Sequence, residues 1–319
     1  MKKFDVLIVG SGLAGVSTAL ELSKDYKIGL VTKKKLEDSN SYLAQGGINV
    51  LRDDDDRQVF IEDTMKAGHY KNNLKSVEIM VDKSQEAIEF LMDLGVEFTK
   101  KDGQLDYARE GGHSASRGLH IDDEIGKGIL DVLYERLRER PNIEIFEDTP
   151  ILDLIVKDGK CYGARSRDEV FISTNVVLAT GGLGGLFDKS TNFPHISGDG
   201  LAMAIKNDVK IKDISYIQFH PTSLYEEGVE RQLLISESAR GEGAVLLNHK
   251  DQRFTDEMKP RDIVAGAIKN EMEKEGVDFE YLSMKPLGEE RIPKRFPMIF
   301  DELRARGIDP RYENIPIVP

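Results

Sequence analysis

The apolar run Val6-Leu7-Ile8-Val9 leads into Gly10-Ser11-Gly12-Leu13-Ala14-Gly15, and this stretch restricts the fold more than any other. Val16 to Leu22 then carries apolar residues at helical spacing. A buried strand, a Gly-x-Gly-x-x-Gly turn and a helix start together open a dinucleotide-binding βαβ unit. Gly10 allows the turn. Gly12 lets the backbone approach a pyrophosphate, which the free N–H groups and dipole of the helix N-terminus stabilise. Gly15 lets helix and strand pack closely. The next strand, Lys27 to Val31, runs into Thr32-Lys33-Lys34. A ribose-binding acid is expected there, about 20 residues beyond the glycines. Glu37 and Asp38 come later and read as loop residues. These residues alone therefore leave NAD and FAD both open.

A chain of 319 residues favours two domains. Its 57 acidic and 44 basic side chains give a net charge of −13, which argues against nucleic acid or an anionic membrane as partner. The run Arg52-Asp53-Asp54-Asp55-Asp56-Arg57 reads as a solvated loop, because it lacks the spacing of a calcium loop. Cys161 is the only cysteine, so an internal disulfide framework and a cysteine-rich metal site are excluded, and no metal is expected. The apolar run after Lys2-Lys3 is broken by Gly10, as in a strand and not a signal peptide. No apolar run reaches membrane-spanning length. The expected location is the cytoplasm.

Further along, Ala44-Gln45-Gly46-Gly47 reads as a turn or as backbone lying against a flat ligand. Val77 to Leu94 predicts one or two helices and Asp123 to Arg140 another. Ile143–Phe146, Ile151–Val156, Cys161–Arg165 and Val170–Ile172 predict strands, with Asp158-Gly159 as a hairpin turn. Asn175 to Leu178 is an apolar strand that runs into Ala179-Thr180-Gly181-Gly182, repeating the opening pattern. Ser197-Gly198-Asp199-Gly200 precedes a helix at Leu201–Lys206. From about His220 the alternation of helix and strand is lost. A domain boundary is placed there, giving residues 1–219 and 220–319.

Four polar groups remain: Arg109-Glu110-Gly111-Gly112-His113-Ser114, Gln218-Phe219-His220-Pro221-Thr222, Ser236-Glu237-Ser238-Ala239-Arg240-Gly241 and Pro260-Arg261-Asp262. Singly, each has an ordinary reading as a surface pair, a helix start or a structural histidine. Together they suit a dicarboxylate site beside a flavin, since carboxylates require cationic partners and arginine matches their fork geometry.

In this order the motifs resemble the flavoprotein family of succinate dehydrogenase, fumarate reductase and L-aspartate oxidase, over nearly the whole chain. The Arg109–Ser114 loop, Lys33 and the ending Gly307-Ile308-Asp309-Pro310 … Ile315-Pro316-Ile317-Val318-Pro319 are most similar to the aspartate-oxidase branch. The resemblance implies an α/β chain: a Rossmann-like FAD-binding domain of the GR2 type, with an inserted α+β capping domain. It implies FAD held by Gly10, Ser11, Gly12, Leu13, Ala14, Gly15, Lys33, Asn40, Ser41, Ala44, Gln45, Gly46, Gly47, Ala179, Thr180, Gly181 and Asp199. Asn40 stands where the membrane-bound members carry the histidine that bonds to flavin, so the FAD is expected to be noncovalent.

The resemblance also assigns roles at the substrate. His220 and Ser236 would bind a carboxylate, with Gln218 beside them. Arg261 would carry the proton, Glu237 and Arg240 would relay it, and Glu110 would sit near the substrate ammonium. The implied reaction is oxidation of L-aspartate to iminoaspartate, the first step of quinolinate and NAD synthesis, with oxygen or fumarate as acceptor. Product would pass to quinolinate synthase. The alternatives are a soluble fumarate reductase or succinate dehydrogenase-like protein acting on fumarate or succinate, and a catalytically incomplete fragment. In the family, further FAD- and substrate-binding residues follow the position of Pro319. The resemblance therefore implies a truncated chain that oxidises poorly.

Overall fold

The computed structural model describes residues 1–109 and 111–319. By its contacts the chain forms two units, Met1–Ala44 with Gly126–Tyr216 and Gln45–Ile125 with Ile217–Pro319. The chain passes between the units at Ala44/Gln45, Ile125/Gly126 and Tyr216/Ile217, where the sequence reading places a single boundary at 219/220. The crossings at Ala44/Gln45 and Ile125/Gly126 have no counterpart in the sequence reading, because no change of composition marks them.

The first unit is built on one six-stranded sheet. Its strands are β1 (Lys2–Val9), β2 (Ile28–Val31), β3 (Ile143–Phe146), β4 (Asp153–Lys157), β5 (Lys160–Arg165) and β6 (Val170–Leu178), in the order β3-β2-β1-β6-β5-β4. The first three strands and β6 are parallel, while β5 runs antiparallel to both β6 and β4. Val6 to Val9 are all buried, as in a parallel strand covered on both faces. Phe4, Leu7, Val9, Val31, Phe171 and Met203 form the core. Val9 lies level with Val31 on one side and Leu178 on the other. The chain therefore leaves β1, β2 and β6 at one sheet edge, the carboxyl edge where doubly wound sheets bind ligands.

Three expectations change here. Val170–Ile172 and Asn175–Leu178 are one continuous strand, because β6 pairs with β1 from Phe171 to Leu178. The helix expected at Leu201 starts at Asp199. The acidic run is not wholly a solvated loop: helix Asp56–Ala67 begins inside it, and Asp56 pairs with the buried Arg117.

The second unit has a four-stranded antiparallel sheet, β7 (Ser223–Leu224), β8 (Val245–Leu247), β9 (Glu280–Ser283) and β10 (Ile315–Val318), in the order β7-β10-β9-β8. Val264 and Ile268 of helix Arg261–Glu275 join Leu246, Leu282, Ile299 and Ile315 in its core. In the earlier segment, Phe60, Ile61, Val77 and Val81 pack together from helices Asp56–Ala67 and Leu74–Asp82. Asp123 ties that segment to the later one by accepting the backbone N–H groups of Met298 and Ile299 at 3.3 and 3.0 Å.

Glu280 conflicts with this core. It shares a face of β9 with Leu282 and is fully buried. Neither carboxyl oxygen has a hydrogen-bond partner among the described residues. Burial pushes its pKa up to about 7, opposed by His249 and Lys274 and reinforced by Glu275 and Glu271. The folded chain thus keeps a proton that the unfolded chain has released above the ordinary carboxylate range. Stability from this group is full at low pH and falls as pH rises towards 7, then stays level. Glu280→Gln is expected to remove about 1–3 kcal/mol of the stability lost from roughly pH 5 to pH 8, read from urea unfolding midpoints. Identical pH profiles for the two proteins would contradict this account.

Candidate active site

A cleft of about 460 Å³ opens at the carboxyl edge of the first unit's sheet. The glycine turn after β1 forms one wall, with Gly10, Ser11, Gly12, Leu13 and Ala14. Lys33, Asn40 and Ser41 come from the chain after β2, and Ala179, Thr180 and Gly181 from the turn after β6. Helices Leu13–Glu21 and Asp199–Lys206 both start at the cleft, so two helix N-termini, with their dipoles and first-turn N–H groups, border it. Val9, Val31, Ile151 and Met203 supply apolar walls. A long ligand with an anionic middle and flat apolar parts fits such a lining.

Several bonds fix this wall. The Tyr134 hydroxyl reaches the carbonyl of Leu36 at 2.6 Å and that of Ser11 at 3.0 Å, sharing its one proton between them. Ser41 Oγ accepts the N–H of Leu13 at 3.1 Å. Lys33 forms an ion pair with Asp199 and donates to the carbonyl of His195 at 2.6 Å. The end of β2 has no carboxylate, but that of Asp199, at the start of its helix, reaches the cleft beside Lys33. The Asn40 amide donates to Asn192 Oδ1, and Asn40 Oδ1 accepts the N–H of Phe193 at 3.2 Å.

The second unit gathers the polar groups. Helix Glu237–Gly241 is capped by Ser236, whose hydroxyl accepts the N–H of Ser238 at 3.3 Å. This places Glu237 and Arg240 one turn apart, both buried. Glu237 Oε2 takes the Nε of Arg261, and Oε1 lies 3.7 Å from Arg240. Arg261 opens helix Arg261–Glu275 after Pro260 and donates from Nη1 to Gln218 Oε1 at 3.0 Å. Arg240 donates to the carbonyl of Glu257 at 2.6 Å. Glu237 therefore lies between two guanidinium groups, one deeply buried and one a third exposed.

His220 is held beside them. Its Nδ1 accepts the N–H of Thr222 at 3.2 Å, and Thr222 donates its hydroxyl to the carbonyl of Ile235 at 2.8 Å. Burial first, then the charges of Arg261 and Arg240, hold the imidazole pKa well below its ordinary value. The ring is neutral at pH 7, and with Nδ1 accepting, Nε2 carries the proton and is a donor.

The loop that ends in His113 and Ser114 is pinned from behind. Arg117 is fully buried and donates to both oxygens of Asp56 and, at 2.7 Å, to Asp63. Asp63 also takes the N–H and hydroxyl of Ser114 at 2.9 and 2.8 Å. His113 sits between Arg117 and Asn49, with burial and then Arg117 lowering its pKa.

The structure therefore brings together Gln218, His220, Ser236, Glu237, Arg240 and Arg261 on the elements of one unit. Among the expected cofactor residues, Gly15 lies behind the cleft wall, packed on Gly10. Ala44 belongs to the first unit, but its carbonyl accepts the N–H of Gly126 at 2.9 Å and it does not line the cleft. Gln45, Gly46 and Gly47 open the second unit, where Gln45 donates to the carbonyl of Leu234 at 2.8 Å. Glu110 lies outside the described residues. Sequence reasoning missed Arg117, Asp56, Asp63, His195 and Glu257. Only the isolated Arg117, close after the Arg109–Ser114 motif, offered any signal. Among the described residues, no His, Cys, Asp and Glu cluster could hold a metal, and no helix is long and apolar enough to cross a membrane.

The FAD binding domain family model matches residues 5–319. L-aspartate oxidase of Clostridium acetobutylicum is 44% identical over 99% of this chain and 74% of its own length. The Clostridium perfringens L-aspartate oxidase is also 44% identical, with 99% and 73% covered. Among solved structures, an E. coli quinol fumarate reductase superposes with a TM-score of 0.91 at 28% identity, covering all of this chain and 60% of that one. The chain thus spans about three-quarters of the clostridial relatives and less of the fumarate reductase.

Proposed function

The chain belongs to the FAD-binding flavoprotein family of L-aspartate oxidase and fumarate reductase, and on that premise we propose that it oxidises L-aspartate to iminoaspartate with noncovalent FAD. The observation that carries this reading is Arg261 held between Glu237 and Gln218, in one cluster with a neutral, donating His220. FAD, when bound, supplies the hydride acceptor. Ser11 to Ala14, Lys33, Asn40, Ser41, Ala179 to Gly181 and Asp199 line the cleft that would hold it, with Asp199 offering its carboxylate to ribose hydroxyls. Asn40 has no group that could form a flavin bond, and its amide is engaged by Asn192 and Phe193.

At the substrate, His220 Nε2 and the Ser236 hydroxyl bind one carboxylate, with Gln218 orienting Arg261 beside it. Arg261 holds the exchanging proton, and Glu237 and Arg240 continue its path. A guanidinium is a poor base, with a pKa above roughly 12. It exchanges protons here only because Glu237 is bonded directly to its Nε. Glu110 is assigned to the substrate ammonium. Ala44 and Gln45 to Gly47, which do not line the cleft, are proposed as cofactor residues on the resemblance alone. The first unit is assigned to FAD and the second to capping and substrate. We place the reaction first in quinolinate and NAD synthesis in the cytoplasm, with product passing to quinolinate synthase.

The fumarate reductase superposition supports a second reading, in which the substrates are fumarate and succinate. The two are separated by loading the chain with FAD and following flavin absorbance without oxygen. Bleaching by L-aspartate and not by succinate is expected. Bleaching by succinate alone would replace the first reading with the second.

A further inference from the structure

Gly111 and Glu237 lie so close that a side chain at position 111 would displace the Glu237 carboxylate. A Cβ built on Gly111 would overlap Oε1 of Glu237 and come within 3.4 Å of its Cδ. The fit is reciprocal, since a Cβ on Gly241 would stand 2.6 Å from the carbonyl oxygen of Arg109. At Gly241 the helix therefore packs against the Arg109 backbone, and at Gly111 the loop backbone packs against the Glu237 side chain. The loop cannot retreat easily. Its rear is fastened by Ser114 on Asp63 and by Arg117 on Asp56 and Asp63, and the N–H of Gly112 meets the carbonyl of Met258 at 3.4 Å. Glu237 is held as well, since Arg261 Nε donates to its Oε2 and the buried Arg240 guanidinium lies 3.7 Å from its Oε1.

We propose that Gly111 is a positioning residue: its missing side chain leaves the space in which Glu237 bridges Arg240 and Arg261, and the Arg117-anchored loop fixes that bridge. As a role in proton transfer, this rests on the function proposed above. The steric contact itself does not. An added methyl meets the tip of a side chain and not a backbone, so the fold yields little. The displacement falls on the Glu237–Arg261 pair.

The test combines Gly111→Ala with Glu237→Asp, which withdraws the carboxylate by one methylene, in a double-mutant cycle. Unfolding midpoints are read first, on the FAD-loaded chain. Gly111→Ala is expected to lower the midpoint with Glu237 present and to leave it nearly unchanged beside Glu237→Asp. Equal losses in both backgrounds overturn the proposal whatever the activity. Aspartate-dependent flavin reduction is read next. Gly111→Ala is expected to slow the saturated rate about tenfold with little change in half-saturating aspartate, as misplacement of a reacting group does. In the Glu237→Asp background it should slow the rate no further. A merely structural glycine would show no such dependence on residue 237. If the unmodified chain shows no reduction by aspartate, the functional reading fails, while the unfolding cycle still decides the contact.

Discussion

Arg261→Lys, in the FAD-loaded chain, is expected to lower aspartate-dependent flavin reduction by about 10²–10⁴, the usual contribution of a positioned proton-transfer group. FAD content should be unchanged. Arg261 uses two faces of its guanidinium at once, Nε on Glu237 and Nη1 on Gln218. A lysine keeps the charge but is a point donor on a flexible stem, and it cannot span both partners in a fixed plane. Glu237 would keep a cationic neighbour in the buried Arg240, so the fold should tolerate the change. None of the residues lining the cleft comes from the helix that Arg261 opens, which is why cofactor retention should not follow activity. A variant with near-normal reduction would remove Arg261 from the proton path. One that loses FAD in parallel would show that the damage is structural.

The parts legible in the sequence were those whose cause is local. The Gly10 turn declares itself because strand, turn and helix follow one another directly from Lys2 to Glu21 and each glycine has a backbone reason. The hairpin at Asp158-Gly159 is similar: both residues adopt positive φ, 51° and 72°, which the pair tolerates. The Arg117 network was not legible. Arg117 lies 61 and 54 residues from Asp56 and Asp63, and an acidic run reads as solvated unless its buried partner is known. Glu280 was missed for the opposite reason. A glutamate at a strand end is ordinarily exposed, and it is tertiary packing, including helix Arg261–Glu275 against β9, that buries this one. The grouping of Gln45–Ile125 with the last hundred residues is likewise a property of packing, since anchors such as Asp123 to Ile299 carry no sequence pattern.

Gly15→Ala should have the opposite sign from an ordinary glycine-to-alanine change in a helix. On an open helix face alanine is favoured by about 1 kcal/mol. Gly266, exposed in helix Arg261–Glu275 with nothing within 4 Å of its missing Cβ, is such a position. Gly266→Ala is expected to raise the unfolding midpoint slightly. At Gly15 the built Cβ overlaps the carbonyl oxygen of Gly10 and lies 3.1 Å from its carbon and 3.4 Å from Ala179 Cβ. The Gly10 atoms are backbone and cannot swing aside. Gly10 stands at φ 119° and donates its N–H to Val31 at 2.8 Å, and Ala179 donates to Val9 at 2.8 Å, so the turn is locked to β2 and β6. Relief requires helix Leu13–Glu21 to lift from the sheet, opening the packing of Val16, Ala19 and Leu20. Overpacking of this kind costs about 1–3 kcal/mol or more, which exceeds the gain in helix propensity. The lift also carries the N–H groups of Leu13 and Ala14 away from the cleft, so FAD affinity should fall by about tenfold or more. Urea unfolding and FAD titration by fluorescence quenching, run on Gly15→Ala and Gly266→Ala together, check both effects. A Gly15→Ala chain as stable and as tight for FAD as its parent would mean that helix and sheet do not approach as closely as the fingerprint requires.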